Sequence, residues 1–444
     1  MNWEHTKLSE FLTERDGRIK YESANQLGLQ RIKKIDFSGN IHLDAETDTK
    51  TDMIRVKNGD LVVSGINAAK GAIAVHAEDE DVLATIHYSA YEFNSDRISV
   101  DFLKWFFKSP EFSDLLREQI PGGIKTELKP KHILPLKVKL PKLSEQITVA
   151  ERLNRFRLEQ LKLEHEIVHQ KSLLAKLKQA ILQEAIQGKL TTEWRTTHQV
   201  ADPVSHLLQR IYAEKARLIA AKEVRPEKLL TKLSANKMPF EVPEGWEWCR
   251  LGNIAADVSY GTSQKAHVEA KGIPVLRMGN ITSDGGLLLS DLKYVSPRIK
   301  DLPRLFLQSG DIVFNRTNSY ELVGKSAVFR EDQPFTLASY LIRVRLLEKL
   351  NPEYVAYFIN STICRAKFIE PDVIQQNGQA NFNGSKLRTI PIPLPPLAEQ
   401  NAIVKQVQAL TAACGALEVE IEHSRVDATH LLQAVLKEAF APAA

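Results

Sequence analysis

The chain has 444 residues, 43% of them hydrophobic, a net charge of +4 and a sequence pI of about 8.7. This is enough for two or three domains with good cores, and no run of 18 apolar residues marks a membrane span. The mild basicity permits nucleic-acid binding without demonstrating it, so the clustering of side chains must carry that argument. The N-terminus, MNWEHTKLSEFL, lacks the basic start and apolar stretch of a signal peptide. Cys249, Cys364 and Cys414 match no metal or disulfide spacing, and a reducing cytoplasm is the simplest address.

Residues 1–143 read as a globular head. GLQRIKKIDFSG (28–39) and GDLVVSGINAAKGAIAV (59–75) set β-branched residues between glycines, as strands do. VDFLKWFFKSPEFSDLLREQ (100–119) reads as one or two helices with an aromatic face, followed by a Gly-rich turn and a basic strand ending near Pro141.

Residues 144–188 read as a long helix, free of proline, with Ser144 as a plausible N-cap. In sevens, one column is Leu153, Gln160, Ile167, Leu174 and Ile181, and the column three further on is Phe156, Leu163, Gln170, Leu177 and Glu184. About 44 residues at 1.5 Å each make a rod of roughly 66 Å. A connector, 189–240, holds a helix over 202–223, with Asp202 as its cap and Pro203 at its first position.

Residues 241–397 repeat the plan of the first head, and 398–440 repeat the rod. LPKLSEQ (140–146) returns as LPPLAEQ (394–400), and QAILQEA (179–185) returns as QAVLKEA (433–439). Both rod matches stand 254 positions apart (Leu140 with Leu394, Ala185 with Ala439). Across the heads the offset drifts, because loops tolerate insertions that a paired helix does not. The shifted columns are Val407, Cys414, Ile421, Ala428, Val435 and Leu410, Leu417, Ser424, Leu431, Glu438. Heptads with coincident breaks predict two rods that pair. The expected architecture is α/β (α+β) heads plus long α-helices: two heads separated by an antiparallel two-helix coiled coil, with an approximate two-fold.

Similar heads held apart by a stiff coil suit two short sites on one DNA duplex. The heads differ in sequence, so the target would be bipartite and asymmetric, with an unread spacer. Head two offers Asn315, Arg316, Thr317, Asn318 and Ser319, and then Gln375, Gln376, Asn377, Gln379 and Asn381 before a basic Lys386 and Arg388. Head one offers Asn67 and Lys70 at the equivalent loop, and Lys125 and Thr126 at the other. Lys33, Arg277 and Asn280 lie on a matching earlier strand. Arginine pairs bidentately with guanine, and Asn or Gln with adenine.

Catalysis finds no foothold in the sequence. There is no amino-methyltransferase motif, and Gly324-Lys325-Ser326 has Ser319 where a phosphate loop needs glycine. No zinc spacing and no nuclease carboxylate set appears, and His87 and His132 read as structural.

With these features in place, the chain resembles the specificity subunit of type I restriction–modification enzymes. The residues that carry the resemblance are Pro391 to Gln400 and the weaker Leu136 to Gln146, the rod ends, the GDIVF strand with its Asn-Arg-Thr-Asn-Ser loop, and PEGWEWCRLGNI. The resemblance implies that the heads are target recognition domains and the rods spacer helices. It implies recruitment of two modification (N6-adenine methyltransferase) subunits, and often of two restriction translocase–nuclease subunits. It assigns no active site or cofactor to this chain. S-adenosylmethionine, ATP and magnesium would belong to the partners. Head one departs from head two in lacking the arginine within Ser64 to Lys70. Other readings stay open at this level: a DNA-independent coiled-coil scaffold, the recognition chain of a related two-subunit restriction enzyme, and a single-chain enzyme with an unrecognised site.

Overall fold

A computed structural model describes residues 3–15, 17–44, 50–119, 127–198, 203–226, 229–231, 233, 238–299, 302–347, 350–376 and 378–440. The chain forms two compact units, Met1–Gln170 with Glu420–Ala444, and Lys171–Val419.

In the first unit, alternating strands build a four-stranded antiparallel sheet in the order Leu12–Glu14, Tyr88–Phe93, Leu61–Ser64, Ile73–Val75. A five-stranded sheet runs Arg18–Ile19, Met53–Val56, Val82–Thr85, Arg31–Ile35, Ile41–Asp44, with its one parallel pairing at Arg31 and Leu83. Glu4–Lys7 pairs with Lys137–Leu140. The aromatic stretch forms two helices, Val100–Lys108 and Pro110–Gln119. They break at Ser109, whose hydroxyl donates to Phe106 O and accepts from Phe112 N.

The second unit repeats the four-stranded order with Ala255–Tyr260, Leu341–Leu346, Ile312–Asn315 and Ser326–Val328. Lys293–Val295, Ile273–Leu276 and Thr336–Leu337 repeat the centre and one edge of the five-stranded sheet, including its parallel pairing, Val275 with Thr336. Glu247–Arg250 pairs with Pro391–Leu394. A further small sheet, Thr317–Asn318, Gln379–Asn381 and Ile374–Gln376, carries most of head two's polar runs.

The long helices run Leu143–Ile186 and Leu397–Phe440, 44 residues each. Ser144 is not the cap: it lies inside the first turn, and Lys142 O accepts from Glu145 N and Gln146 N. Gln146 ties this start to the head. Its amide donates to Pro141 O and Arg97 O and accepts from Ser99 N, the N-cap of the aromatic helix. Gln400 does the same to Pro395 O and to Asn351 N, the N-cap of Pro352–Ile359.

Within each unit the two helices run antiparallel. In the first, Arg152 meets Glu438 at 3.2 Å and Gln160 reaches Ala428 O. In the second, Lys178 meets Glu418 at 2.8 Å. The column Leu153, Gln160, Ile167, Leu174, Ile181 is buried throughout. The second column behaves differently: Leu163, Leu177, Leu410, Leu417 and Leu431 are 40–53% exposed. Only one column per helix forms the seam.

The ends of the helices belong to the head cores. Leu153, Leu436 and Phe440 join Phe102, Phe106 and Phe112 in one cluster, with the Phe440 ring 5.2 Å from that of Phe102. Each large side chain so buried is worth about 1.5–3 kcal/mol, against roughly 0–1 kcal/mol for an exposed pair such as Arg152–Glu438. Docking at the ends and the buried seam column, not the exposed ion pairs, therefore carry the energetics of the rods.

In the second unit, buried Glu399 gathers the chain that follows the first rod. Its carboxylate accepts from Thr191 Oγ1 at 2.6 Å, from Trp246 Nε1 at 2.8 Å and from Arg195. Gly188 makes that reversal possible at φ 70°, where a Cβ would sit 2.6 Å from Pro243. The connector helix is Val204–Ala220, with Pro203 as its N-cap; Asp202 lies outside the described residues. It is no loose linker. Val204, Leu207, Leu208 and Ile211 are buried, and the Lys215 ammonium donates to Gly252 O and Ala255 O.

Candidate nucleic-acid interface

The site in head two starts from strand Ile312–Asn315. Asp311 fixes its entry, accepting from Gln308 N and from the Arg345 guanidinium at 2.6 and 2.7 Å. Asp60 holds the matching strand of head one, accepting from Lys57 N and Arg15. Beyond the strand, the loop 316–324 is closed by Asn315, which is 1% exposed, with its backbone paired to Lys325 and Gly324 and its Nδ2 donating to Leu322 O. Asn315 therefore frames the loop and is not a surface reader. Thr317 is likewise buried, its hydroxyl donating to Asn381 Oδ1 at 2.8 Å.

The structure brings the two polar runs together. Thr317 pairs with Asn381 and Asn318 with Ala380, while Gln375 pairs with Ala380 and Gln376 with Gln379. Residues opposite one another in antiparallel strands share a face, so Asn318 and Gln375 lie on one side and Gln379 and Asn381 on the other. Ser319, Gln375 and Gln379 are exposed, and Asn318 is half-buried, its Oδ1 accepting from Ser319 N. Ser319, Gln375 and Gln379 line a recess of about 350 Å³ with Tyr320 and Glu321. Asn377 lies outside the described residues.

Arg316 sits where the loop meets this sheet. Its N–H donates to Tyr340 O at 3.1 Å, its carbonyl accepts from Phe382 N at 2.8 Å, and its Nε donates to Phe382 O at 3.3 Å. The guanidinium carbon lies 5.0 Å from the centre of the Tyr260 ring. Tyr260 Oη accepts from Gly384 N at 2.8 Å. Behind the loop, Arg365 donates to Tyr320 O and Val323 O and pairs with Glu370 at 2.9 Å. Neither Tyr260 nor Arg365 stood out in the sequence. Apart from Glu370, five positions from Arg365, their partners are more than 40 positions away, so no local pattern announces them.

Arg277 and Asn280 are not on a strand. They open and close a short 3₁₀ turn after Leu276. Asn280 is 2% exposed, its Oδ1 accepting from Arg277 N and its Nδ2 donating to Leu288 O and Asp291 O. With its amide committed inward, it cannot face a base. Arg277 pairs with Asp291 at 2.9 Å.

In head one, Lys33 is exposed on strand Arg31–Ile35, at a bulge that turns Lys34 outward as well. Asn67 is half-buried and opens the turn Ala68–Lys70. Lys70 is exposed, with its ammonium 5.6 Å from the centre of the Phe37 ring. Lys125 and Thr126 lie outside the described residues. The backbone place of Arg316 is taken here by Gly65, which donates to His87 O and accepts from Leu128 N. A Cβ at Gly65 would lie 2.7 Å from Leu128 O. Beside it, His87 meets Glu127 at 2.7 Å. Head one thus closes with backbone the position where head two presents a guanidinium.

The exposed side chains here offer hydrogen-bond donors and acceptors. Burial pushes the Cys249 and Cys364 thiols well above the usual range, away from the thiolate that a nucleophile needs. Among the described residues no group of three His, Cys, Asp or Glu is placed to hold a metal ion, and no helix is long and apolar enough to cross a membrane.

Residues 243–423 match the family described as the type I restriction modification DNA specificity domain. The chain is 26% identical over 344 residues to the EcoKI specificity subunit of Escherichia coli (strain K12), covering 76% of this chain and 64% of that protein. It is 28% identical over 269 residues to the EcoEI specificity subunit of Escherichia coli, covering 58% and 44%. It therefore spans less than two thirds of the length of these relatives in the matched regions. Among solved structures, the HsdS subunit from Thermoanaerobacter tengcongensis has the same fold over 99% of this chain and 96% of its own, with a TM-score of 0.54 at 16% identity. A chain solved in work on complex assembly and conformational transition of the type I R-M system matches over 99% and 97%, with a TM-score of 0.62 at 16% identity.

Proposed function

As a member of the type I restriction–modification specificity-subunit family, this chain, we propose, reads a bipartite, asymmetric DNA target and recruits the subunits that act on it. The observation that carries this reading is the repeated head. Both heads share sheet order and strand anchoring, yet they differ where Arg316 in one meets Gly65 in the other. One frame with two reading surfaces calls for two different half-sites. In head two the reading surface comprises Arg316, Asn318, Ser319, Gln375 and Gln379, with Asn377 added from the sequence; in head one it comprises Lys33, Asn67 and Lys70, with Lys125 and Thr126 added from the sequence.

The chain itself is non-catalytic in this reading. Two N6-adenine methyltransferase subunits bring S-adenosylmethionine. Restriction translocase–nuclease subunits, where present, bring ATP and magnesium. The complex acts in the cytoplasm. The exposed leucine columns of the long helices support recruitment, since apolar side chains repeating at heptad spacing accept partner helices.

Co-expression with its modification subunit, followed by single-molecule sequencing for N6-methyladenine, tests the proposal. The expected result is a bipartite motif that is absent without this chain. The purified complex should also lose affinity for a duplex bearing that motif as salt rises from 50 to 200 mM, because neutralised phosphates release counterions. A stable complex that makes no new motif and binds DNA without salt sensitivity would overturn it in favour of a scaffold.

A further inference from the structure

Resting on that reading, we infer that Arg316 reads a guanine in the half-site of head two, and that Tyr260 is the positioning residue that aims it. Three observations meet here. First, the Arg316 backbone is held on both sides, to Tyr340 O and from Phe382 N, so its Cα has a fixed place at the junction of loop and sheet. Second, Nε is already spent on Phe382 O, while Nη1 and Nη2 make no hydrogen bond among the described residues. A guanidinium tied at Nε presents its other two nitrogens as a fork, and that fork matches guanine O6 and N7 in the major groove. Third, the plane is steadied by the Tyr260 ring at 5.0 Å, and that ring is pinned through Oη to Gly384 N.

The surroundings favour a base over a phosphate. A phosphate contact needs only a mobile charge, and lysine serves as well. Here the side chain is half-buried and ordered by an aromatic ring that is itself 44% exposed. Preorganisation of that kind lowers the entropy lost on binding and sharpens geometry. Asn318 and Gln375 share one face of the adjoining sheet, so a neighbouring base pair there would meet amide groups. Gly65 in head one removes the same guanidinium, and no guanine contact of this kind is expected in the other half-site.

The test uses the full chain assembled with its modification subunit. The motif is first read by methylation sequencing, then duplexes carrying 7-deazaguanine at each guanine of either half-site are compared in competition binding. In the wild-type complex one guanine of head two's half-site should show a roughly 5- to 150-fold penalty on losing N7. Arg316→Ala should abolish that penalty and relax the methylated motif at that position alone. Arg316→Met, which keeps an unbranched stem but has no N–H donor, should lose the preference. Tyr260→Leu should weaken the preference about 2- to 5-fold, and Tyr260→Phe, which keeps the ring and loses only the Oη contact to Gly384 N, should retain more of it than Tyr260→Leu does.

Retention of the 7-deazaguanine penalty in Arg316→Ala would overturn the inference while leaving the function intact. So would equal loss of affinity for every sequence with an unchanged motif, which marks a phosphate contact. An absence of any bipartite motif in the wild type would instead overturn the functional reading itself. Should Arg316→Ala fail to assemble, Arg316→Met decides the question by the same measurement.

Discussion

At the scale of the residue, polar type was legible in the sequence and orientation was not. Asn315 and Asn280 look like readers as letters, yet each turns inward to satisfy backbone groups that would otherwise be buried unpaired. Gln146 and Gln400 show the reverse. Their match across the repeat was visible, but their work was not, because the N-caps they hold lie 47 and 49 positions away. Both side chains are fully buried, so truncation strands a helix N-cap amide. Gln146→Ala or Gln400→Ala should each lower stability by about 1–3 kcal/mol, with the larger effect on the unit that contains it. Denaturant unfolding followed by hydrogen exchange in each unit measures this. Equal protection in both units, unchanged from wild type, would show that the glutamines do not hold the heads to the rods.

At the scale of the element, the long helices were the most legible part. Their limits agree with the repeat to within a residue or two, and the column through Leu153 and Leu174 is buried as its period requires. The second column was misjudged because periodicity reports which residues share a stripe, not whether anything covers it. Leu177, 46% exposed, and Leu174, 5% exposed, lie three positions apart with opposite roles. Leu174→Ala should destabilise the free chain by about 2–5 kcal/mol, the range for removing a buried leucine. Leu177→Ala should leave it within about 0.5 kcal/mol, yet weaken capture of the modification subunit. Thermal unfolding and co-purification separate the two. Unimpaired capture after combined alanine substitution of Leu163, Leu177, Leu417 and Leu431 would remove that column from the docking surface. The connector helix was legible, but its packing was not, since the carbonyls that Lys215 holds, Gly252 O and Ala255 O, are 37 and 40 positions away.

At the scale of the whole molecule, the repeat predicted two heads of one plan, and each unit shows it in sheet order and in the matching parallel strand pair. The small sheet of head two was not foreseen. Its strands are two or three residues long, and one of its two pairings joins segments more than sixty positions apart, Thr317 with Asn381. The central claim is that each head reads its own half-site. It is tested most directly by replacing residues 241–397 with the corresponding head of a relative of different specificity, and sequencing the N6-methyladenine that the complex deposits. The account predicts that one half-site is exchanged while the other and the spacer length stay as they were. A change in both half-sites, or in neither, would contradict it.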